Sequence, residues 1–153
     1  MKYLAIPLAL MLGGNVMADT ISKQFQVVAE VPTAAFYVMD EGGWMSNQQR
    51  LVYNVESEAF EPITGNRLVA RSTTGAIEAH LDSDAVITSG GDRIDLNIAV
   101  NGVDLSTTKQ EVITAADAAN PYYMPVVISA AAGTYQPGDY MGFVNMTFET
   151  PDP

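Results

Sequence analysis

The stretch Ile94-Asp-Leu-Asn-Ile-Ala-Val-Asn101-Gly102 decides the fold class. Ile94, Leu96, Ile98 and Val100 occupy every second position, with Asp95 and Asn97 between them. A period of two belongs to a β-strand with one buried face; an amphipathic helix would repeat its apolar residues near 3.6. Asn101-Gly102 tolerates the positive φ of a tight hairpin turn, so the chain is expected to fold straight back, with Val103–Leu105 as the return.

Working outward from this hairpin, the same alternation recurs. Towards the C-terminus, Thr107–Ala119 has a Ser or Thr before Glu111 and then alanines, which predicts a short helix or turn. Tyr122–Ala130 and Tyr140–Phe148 read as the last two strands. In the second of these, Tyr140, Val144, Met146 and Phe148 share a face, and Gly142 stands where a bulky side chain is absent. Towards the N-terminus, Ser89-Gly90-Gly91-Asp92 turns the chain. Ala76–Leu81 puts Ile77, Ala79 and Leu81 on one side and Glu78 and His80 on the other. Arg67–Ser72 alternates Leu68, Ala70 and Ser72 against Val69 and Arg71, and Leu51–Val55 and Ala35–Met39 are shorter candidates. Glu56–Asn66, punctuated by Pro62 and Gly65, reads as a loop or hairpin region, and Asp40–Gly43 as a turn. Seven or eight short strands spaced near ten residues, with little helix, predict an all-β sandwich, and the immunoglobulin-like topology is its leading form. The Cys…Trp…Cys framework of antibody domains is missing, so that topology rests on strand count.

The N-terminal region poses a puzzle. Residues 1–18 have the pattern of a secretion signal: Lys2, an apolar run over Tyr3–Leu12 broken by Pro7, and Val16-Met17-Ala18 before the cut. The apolar run is too short to span a bilayer as a helix. Cleavage leaves a mature chain of about 135 residues, enough for one domain with a real core. That chain would begin with Asp19–Val31. Here Ile21, Phe25, Val27, Ala29 and Val31 lie on one face, interrupted by Lys23. Thr20, Ser22, Gln24, Gln26 and Glu30 lie on the other, interrupted by Val28. Pro32 ends the stretch. An amphipathic strand at a chain end must find an apolar groove, in its own chain or in a neighbour's.

Composition removes several classes of function. The formal net charge of −11 leaves no basic patch for nucleic acid or for an anionic membrane surface. With no cysteine, an exported chain has no disulfide scaffold, thiol catalysis or cysteine-ligated zinc. His80 is the sole histidine, so any Ser–His–Asp arrangement must pass through it, and no nucleophile elbow accompanies it. Asp82-Ser83-Asp84 and Asp92…Asp95 offer oxygens to calcium, but neither sits in a dense ligand loop; they read as turn residues. No pair among the many acids is singled out for sugar hydrolysis, and there is no phosphate-binding glycine loop. Trp44, Tyr37, Tyr53, Tyr122, Tyr123 and Tyr135 could form a sugar-binding surface. A secreted, monomeric β-sandwich carbohydrate-binding module is therefore the alternative to a structural role.

Several stretches together resemble the major subunits of alternate chaperone–usher fimbriae, the class-five, alpha-clade, colonisation-factor-antigen type. They are Lys23-Gln-Phe-Gln-Val-Val-Ala-Glu-Val31, Leu105-Ser-Thr-Thr-Lys-Gln-Glu111, Val127-Ile-Ser-Ala-Ala131 and Pro137-Gly-Asp-Tyr-Met-Gly-Phe-Val144. The absence of cysteine fits this clade. The sequence departs from it in three places: Val31 meets Pro32 without the usual Asp-Pro, Gly42–Asn66 matches poorly, and a tail, Glu149–Pro153, follows the last strand.

The resemblance implies residues 32–153 form an incomplete immunoglobulin-like sandwich whose final strand comes from a neighbouring subunit. It implies a structural subunit with no catalysis, cofactor or metal, exported to the periplasm and then built into a cell-surface fimbria. Its partners would be copies of itself, a periplasmic chaperone, an outer-membrane usher and a tip adhesin. Ile21, Phe25, Val27, Ala29 and Val31 would be the inserted residues. Tyr140, Val144, Met146 and Phe148 would flank the acceptor groove.

Overall fold

The computed structural model describes residues 35–151, which belong to one compact unit over Val31–Pro153. The expected signal peptide (1–18) and N-terminal strand (19–31) lie outside the described residues.

Two sheets face each other across one core. The larger runs β1 (Phe36–Asp40), β4 (Ile63–Ser72), β10 (Tyr122–Ala130), β7 (Asp92–Val100) and β6 (Val86–Ser89), with β8 (Val103–Asp104) also paired to β7. The smaller runs β11 (Met146–Glu149), β5 (Ile77–Leu81) and β9 (Gln110–Ile113). A separate hairpin joins β2 (Val52–Asn54) to β3 (Ala59–Glu61). All the pairings between these strands are antiparallel. The all-β reading of the sequence is correct.

The period-2 pattern accounts for the core. Ile94, Ile98 and Val100 are buried on β7; Leu68, Ala70 and Ser72 on β4; Ile77, Ala79 and Leu81 on β5. Met124 and Val126 of β10 and Val112 and Ile113 of β9 complete it. The hairpin after β7 takes the predicted form: Asn101 and Gly102 have φ of 51° and 79°, and Val103 pairs with Val100.

Some expectations hold in a sharper form and others need correction. Of the two readings of Glu56–Asn66, loop or hairpin, the hairpin is the one found: β3 returns along β2 there, and β4 starts at Ile63 rather than at Arg67. Gly65, at φ 91°, does not end that strand. The pairing of β4 with β10 slips there, with Val126 opposite Asn66 but Ile128 opposite Ile63, so the glycine sits within a bulge. In Thr107–Ala119, Glu111 lies in β9, paired with Glu78. The short helix expected in Thr107–Ala119 is α1 (Ala115–Ala118), capped by Thr114, whose hydroxyl accepts from the Asp117 N–H. Strand β6 follows an aspartate-rich turn and gave no separate signal.

The expected strand Tyr140–Phe148 needs correction, since it is not one continuous strand. Met141 bridges to Thr88 of β6, exchanging both backbone hydrogen bonds at 3.0 Å. By Asn145 the chain has crossed to the smaller sheet, where its carbonyl accepts from the Asp82 N–H. Only Met146–Glu149 pairs as β11, against β5.

Candidate subunit-assembly site

Strands β1 and β11 are the end strands of their respective sheets among the described residues. Register fixes which side chains they send inward. Phe36 and Val38 stand opposite the buried Ser72 and Ala70, so both face the core. Met146 and Phe148 stand opposite the buried Leu81 and Ala79 and do the same.

Inward-facing apolar residues in a closed sandwich are normally buried completely. Here Leu81 and Ala79, one strand further in, are 5% and 0% exposed, yet Phe36, Val38, Val144, Met146 and Phe148 are all half-buried. These five pack against the core from one side and retain apolar surface on the other.

Three of the four residues expected to flank an acceptor groove, Val144, Met146 and Phe148, thus fall on one row. Tyr140 does not join them. It precedes the Met141–Thr88 bridge, and its hydroxyl donates to the Gln136 carbonyl at 2.8 Å. Phe36 and Val38 belong to the row and were not anticipated. Their short strand carried the signal, but pairing β1 with β4 rather than β11 is not readable locally. Ile21, Phe25, Val27, Ala29 and Val31 lie outside the described residues.

One end of this row opens into a concavity lined by Phe36, Phe148, Glu78, Glu149 and Lys109. Lys109 donates to and ion-pairs with Glu149. That hydrogen bond, the charge of Glu149 and, more weakly, that of Glu78 hold the exposed Lys109 amine above the usual lysine range. Glu78 stands opposite Glu149 on the outward face of the smaller sheet. Beyond β11, Thr150 is tied back to β4, with its hydroxyl 2.6 Å from Ser72 Oγ.

The other candidate sites are dispersed. Trp44 donates its indole N–H to the Arg67 carbonyl at 2.8 Å and packs on the core, closing the loop edge. Tyr123 lies under the Arg67 guanidinium, 5.4 Å from ring centroid to Cζ. Tyr53, Phe60 and Tyr135 meet edge to face at interplanar angles of 69–86°, packing on one another rather than offering a flat platform. Asp95 is bound to Arg93, and Asp82 accepts from Thr147. His80 Nε2 is 3.9 Å from Asp82, and its Nδ1 is buried without a hydrogen-bond partner among the described residues. His80→Ala should leave fibre formation unchanged and move the thermal midpoint by no more than a few degrees. Lost assembly in that variant would assign the histidine a role that its geometry does not support.

Comparison with known proteins bears on the half-buried row. Residues 21–149 match the family described as CS1 type fimbrial major subunit. The chain belongs to that family. The match takes in the N-terminal stretch as well as the sandwich. Among solved structures, the fold is similar to that of the CooA pilin subunit from enterotoxigenic Escherichia coli, with a TM-score of 0.55 and 21% identity. The alignment covers 65% of this chain and 75% of CooA. No curated protein matches. The immunoglobulin-like sandwich is thus the fold of a pilin, and this family member is a structural subunit of a surface fimbria, not an enzyme. It polymerises with other subunits.

Proposed function

We propose that this subunit polymerises by donor-strand exchange. In this reading, Asp19–Val31 of one copy lies along β11 of the next, between its two sheets, and replaces the strand the sandwich lacks. Main-chain hydrogen bonds to the strand edge supply affinity, and alternate side chains entering the core set the register. Ile21, Phe25, Val27, Ala29 and Val31 enter; Val144, Met146 and Phe148, together with Phe36 and Val38, receive them. Burying the four larger side chains contributes on the order of 6–12 kcal/mol before ordering costs, at ~1.5–3 kcal/mol each. The contact is head-to-tail and does not close on itself, so it propagates a fibre.

The same half-buried row creates a need before assembly. An exposed apolar groove aggregates, so a periplasmic chaperone fills it after export, and an outer-membrane usher exchanges it for the next subunit's strand. A separate tip adhesin carries receptor binding.

The observation that supports this reading is the incomplete burial of Phe36, Val38, Val144, Met146 and Phe148, all turned inward. Electron microscopy of shed surface material, with the subunit identified by mass spectrometry, tests the role. Full-length chains should appear in fibres, and chains lacking residues 19–31 should be absent from them. Fibres built from the truncated chain would overturn donor-strand exchange.

A further inference from the structure

The hairpin of β2 and β3 prolongs the larger sheet beyond one of its ends. Trp44 binds the Arg67 carbonyl, and the Gln49 side chain accepts from Asn66 at 2.9 Å, so the chain before β2 follows the edge of β4. From β3 it passes into β4 with only Pro62 between them. Tyr53 and Phe60 pack on Tyr135 and fix the hairpin to the body. Its tip stays in solvent: Val55 is 78% exposed, and Glu56 and Glu58 beside it are exposed too. Residues 51–66 hold three glutamates and no lysine or arginine.

Further along β4 the outward face has the opposite character. Leu68, Ala70 and Ser72 point into the core, so Arg67, Val69 and Arg71 point out. Register places Tyr37 opposite Arg71, and Met39 and Tyr123 on either side of Val69. Met39 and Tyr123 are 49% and 52% exposed. Arg67 lies over the Tyr123 ring and pairs with Glu41. Arg71 donates its Nε to the Ala119 carbonyl at 3.2 Å and has no ion-pair partner among the described residues. Tyrosine, methionine and arginine interleaved on an exposed sheet face is the composition of an interface core.

We propose that the hairpin tip of one subunit docks on the arginine–tyrosine face of the next copy in the fibre. This goes beyond donor-strand exchange: it rests on the head-to-tail order proposed above, not on which strand is exchanged. From Ile63 to Val69, the middle of the face, β4 rises roughly 20 Å, and the hairpin leads away from it at the Ile63 end. The two patches therefore lie towards opposite ends of one sheet, and a head-to-tail fibre brings opposite ends of successive copies together. Charge selects the occupant. With a formal net charge of −11, two copies repel one another over most of their surface. Arg93 and Lys109 are taken up by Asp95 and Glu149, and Arg50 stands at the base of the hairpin itself. Arg67 and Arg71 are the cations left to receive an acidic tip. Val55 then covers Met39 and Tyr123, while Glu56 and Glu58 reach Arg71 and the free side of Arg67. Because these charges lie at the surface, salt should loosen the joint.

The absence of native cysteine makes cross-linking a clean test. Full-length chains carrying V55C/M39C or V55C/Y123C are co-expressed with unmodified chain, so that assembly does not depend on the variant. Purified fibres are then treated with a short bismaleimide. Both pairs should give linked dimers and higher multimers on denaturing gels. Chains with V55C alone, or with V55C/S83C in the exposed turn after β5, should stay monomeric. In the V55C/Y123C chain, R71E should lower linking about fivefold, and adding E56R/E58R should restore most of it. Fibres of normal length in which neither the M39C nor the Y123C pair links overturn the contact and leave donor-strand exchange standing. So does equal linking by V55C/S83C, or indifference to the charge reversals. Abundant dimers from V55C alone mean that tip meets tip, which overturns the head-to-tail order and this contact with it.

Discussion

A subunit carrying Val27→Glu should remain soluble with its chaperone and fail to polymerise. In the donor-strand reading, Val27 is the central one of the five inserted residues of Asp19–Val31. The substitution removes ~1.5–3 kcal/mol of apolar burial. In that reading it also brings a carboxylate between two apolar sheets. Placing a lone charge there costs several kcal/mol more, or forces it to take up a proton. A total of about 4–7 kcal/mol lowers each subunit–subunit association constant by roughly three to five orders of magnitude. A fibre needs every one of its contacts, so length collapses before yield does. The core of the described residues is built from β4, β5, β7, β9 and β10, so the sandwich itself should survive the change. Electron microscopy for fibres and size-exclusion chromatography of the chaperone complex read the two outcomes separately. Fibres of normal length would overturn the donor-strand reading.

How much of this was legible in the sequence depends on whether a strand has two neighbours. On β7, β5 and the second half of β4 one face is sealed by the opposite sheet, so alternation is clean and the buried residues could be named directly. On β6 the residues Val86 and Ile87 are both only half-buried, and the pattern fades. For β9 a local signal competed with a distant one. A Ser or Thr ahead of Glu111 resembles a helix start, but the pairing of Gln110–Ile113 with β5 wins, and the cap is displaced to Thr114. The candidate site was half legible. The faces of Val144, Met146 and Phe148 follow from alternation. The contribution of Phe36 and Val38 does not, because it depends on which two end strands the sandwich leaves side by side.

The same reasoning applies to Lys23 and Val28, which interrupt the alternation of Asp19–Val31. Alternation predicts side-chain chemistry only when each face has one kind of surroundings along its whole length. Regular positions fit equally well after a slip of two, so alternation by itself sets which face is inserted and not the register.

Gly142→Val should destabilise the subunit more than any other single glycine replacement in the terminal segment. Gly142 has no positive φ, so its requirement is one of space. A Cβ built there would lie far inside contact distance of the Val86 carbonyl oxygen and 3.1 Å from both Cα and Cγ2 of Ile87. Those neighbours are mostly backbone, and they belong to β6, which is held to β7 by a continuous register from Val86–Asp95 to Ser89–Asp92. Neither strand can yield without cost. Overpacking of this kind costs about 1–3 kcal/mol, and a rigid backbone neighbour puts the expected value at the upper end or beyond. For a chain of this size that is a fall in thermal midpoint on the order of 5–15 °C. The simplest relief is to lift the segment off β6, which breaks the two hydrogen bonds between Met141 and Thr88. Amide exchange at both residues should therefore speed up well before global unfolding. Gly133→Val serves as the control, since nothing lies within 4 Å of the position its Cβ would take. Chaperone complexes of the two variants, heated side by side, should separate clearly. Equal midpoints would mean that the crossing from β6 to β11 is not held by this contact. It would then be the pairing of β11 with β5, and the tie from Thr150 to Ser72, that fix the strand against which the next subunit docks.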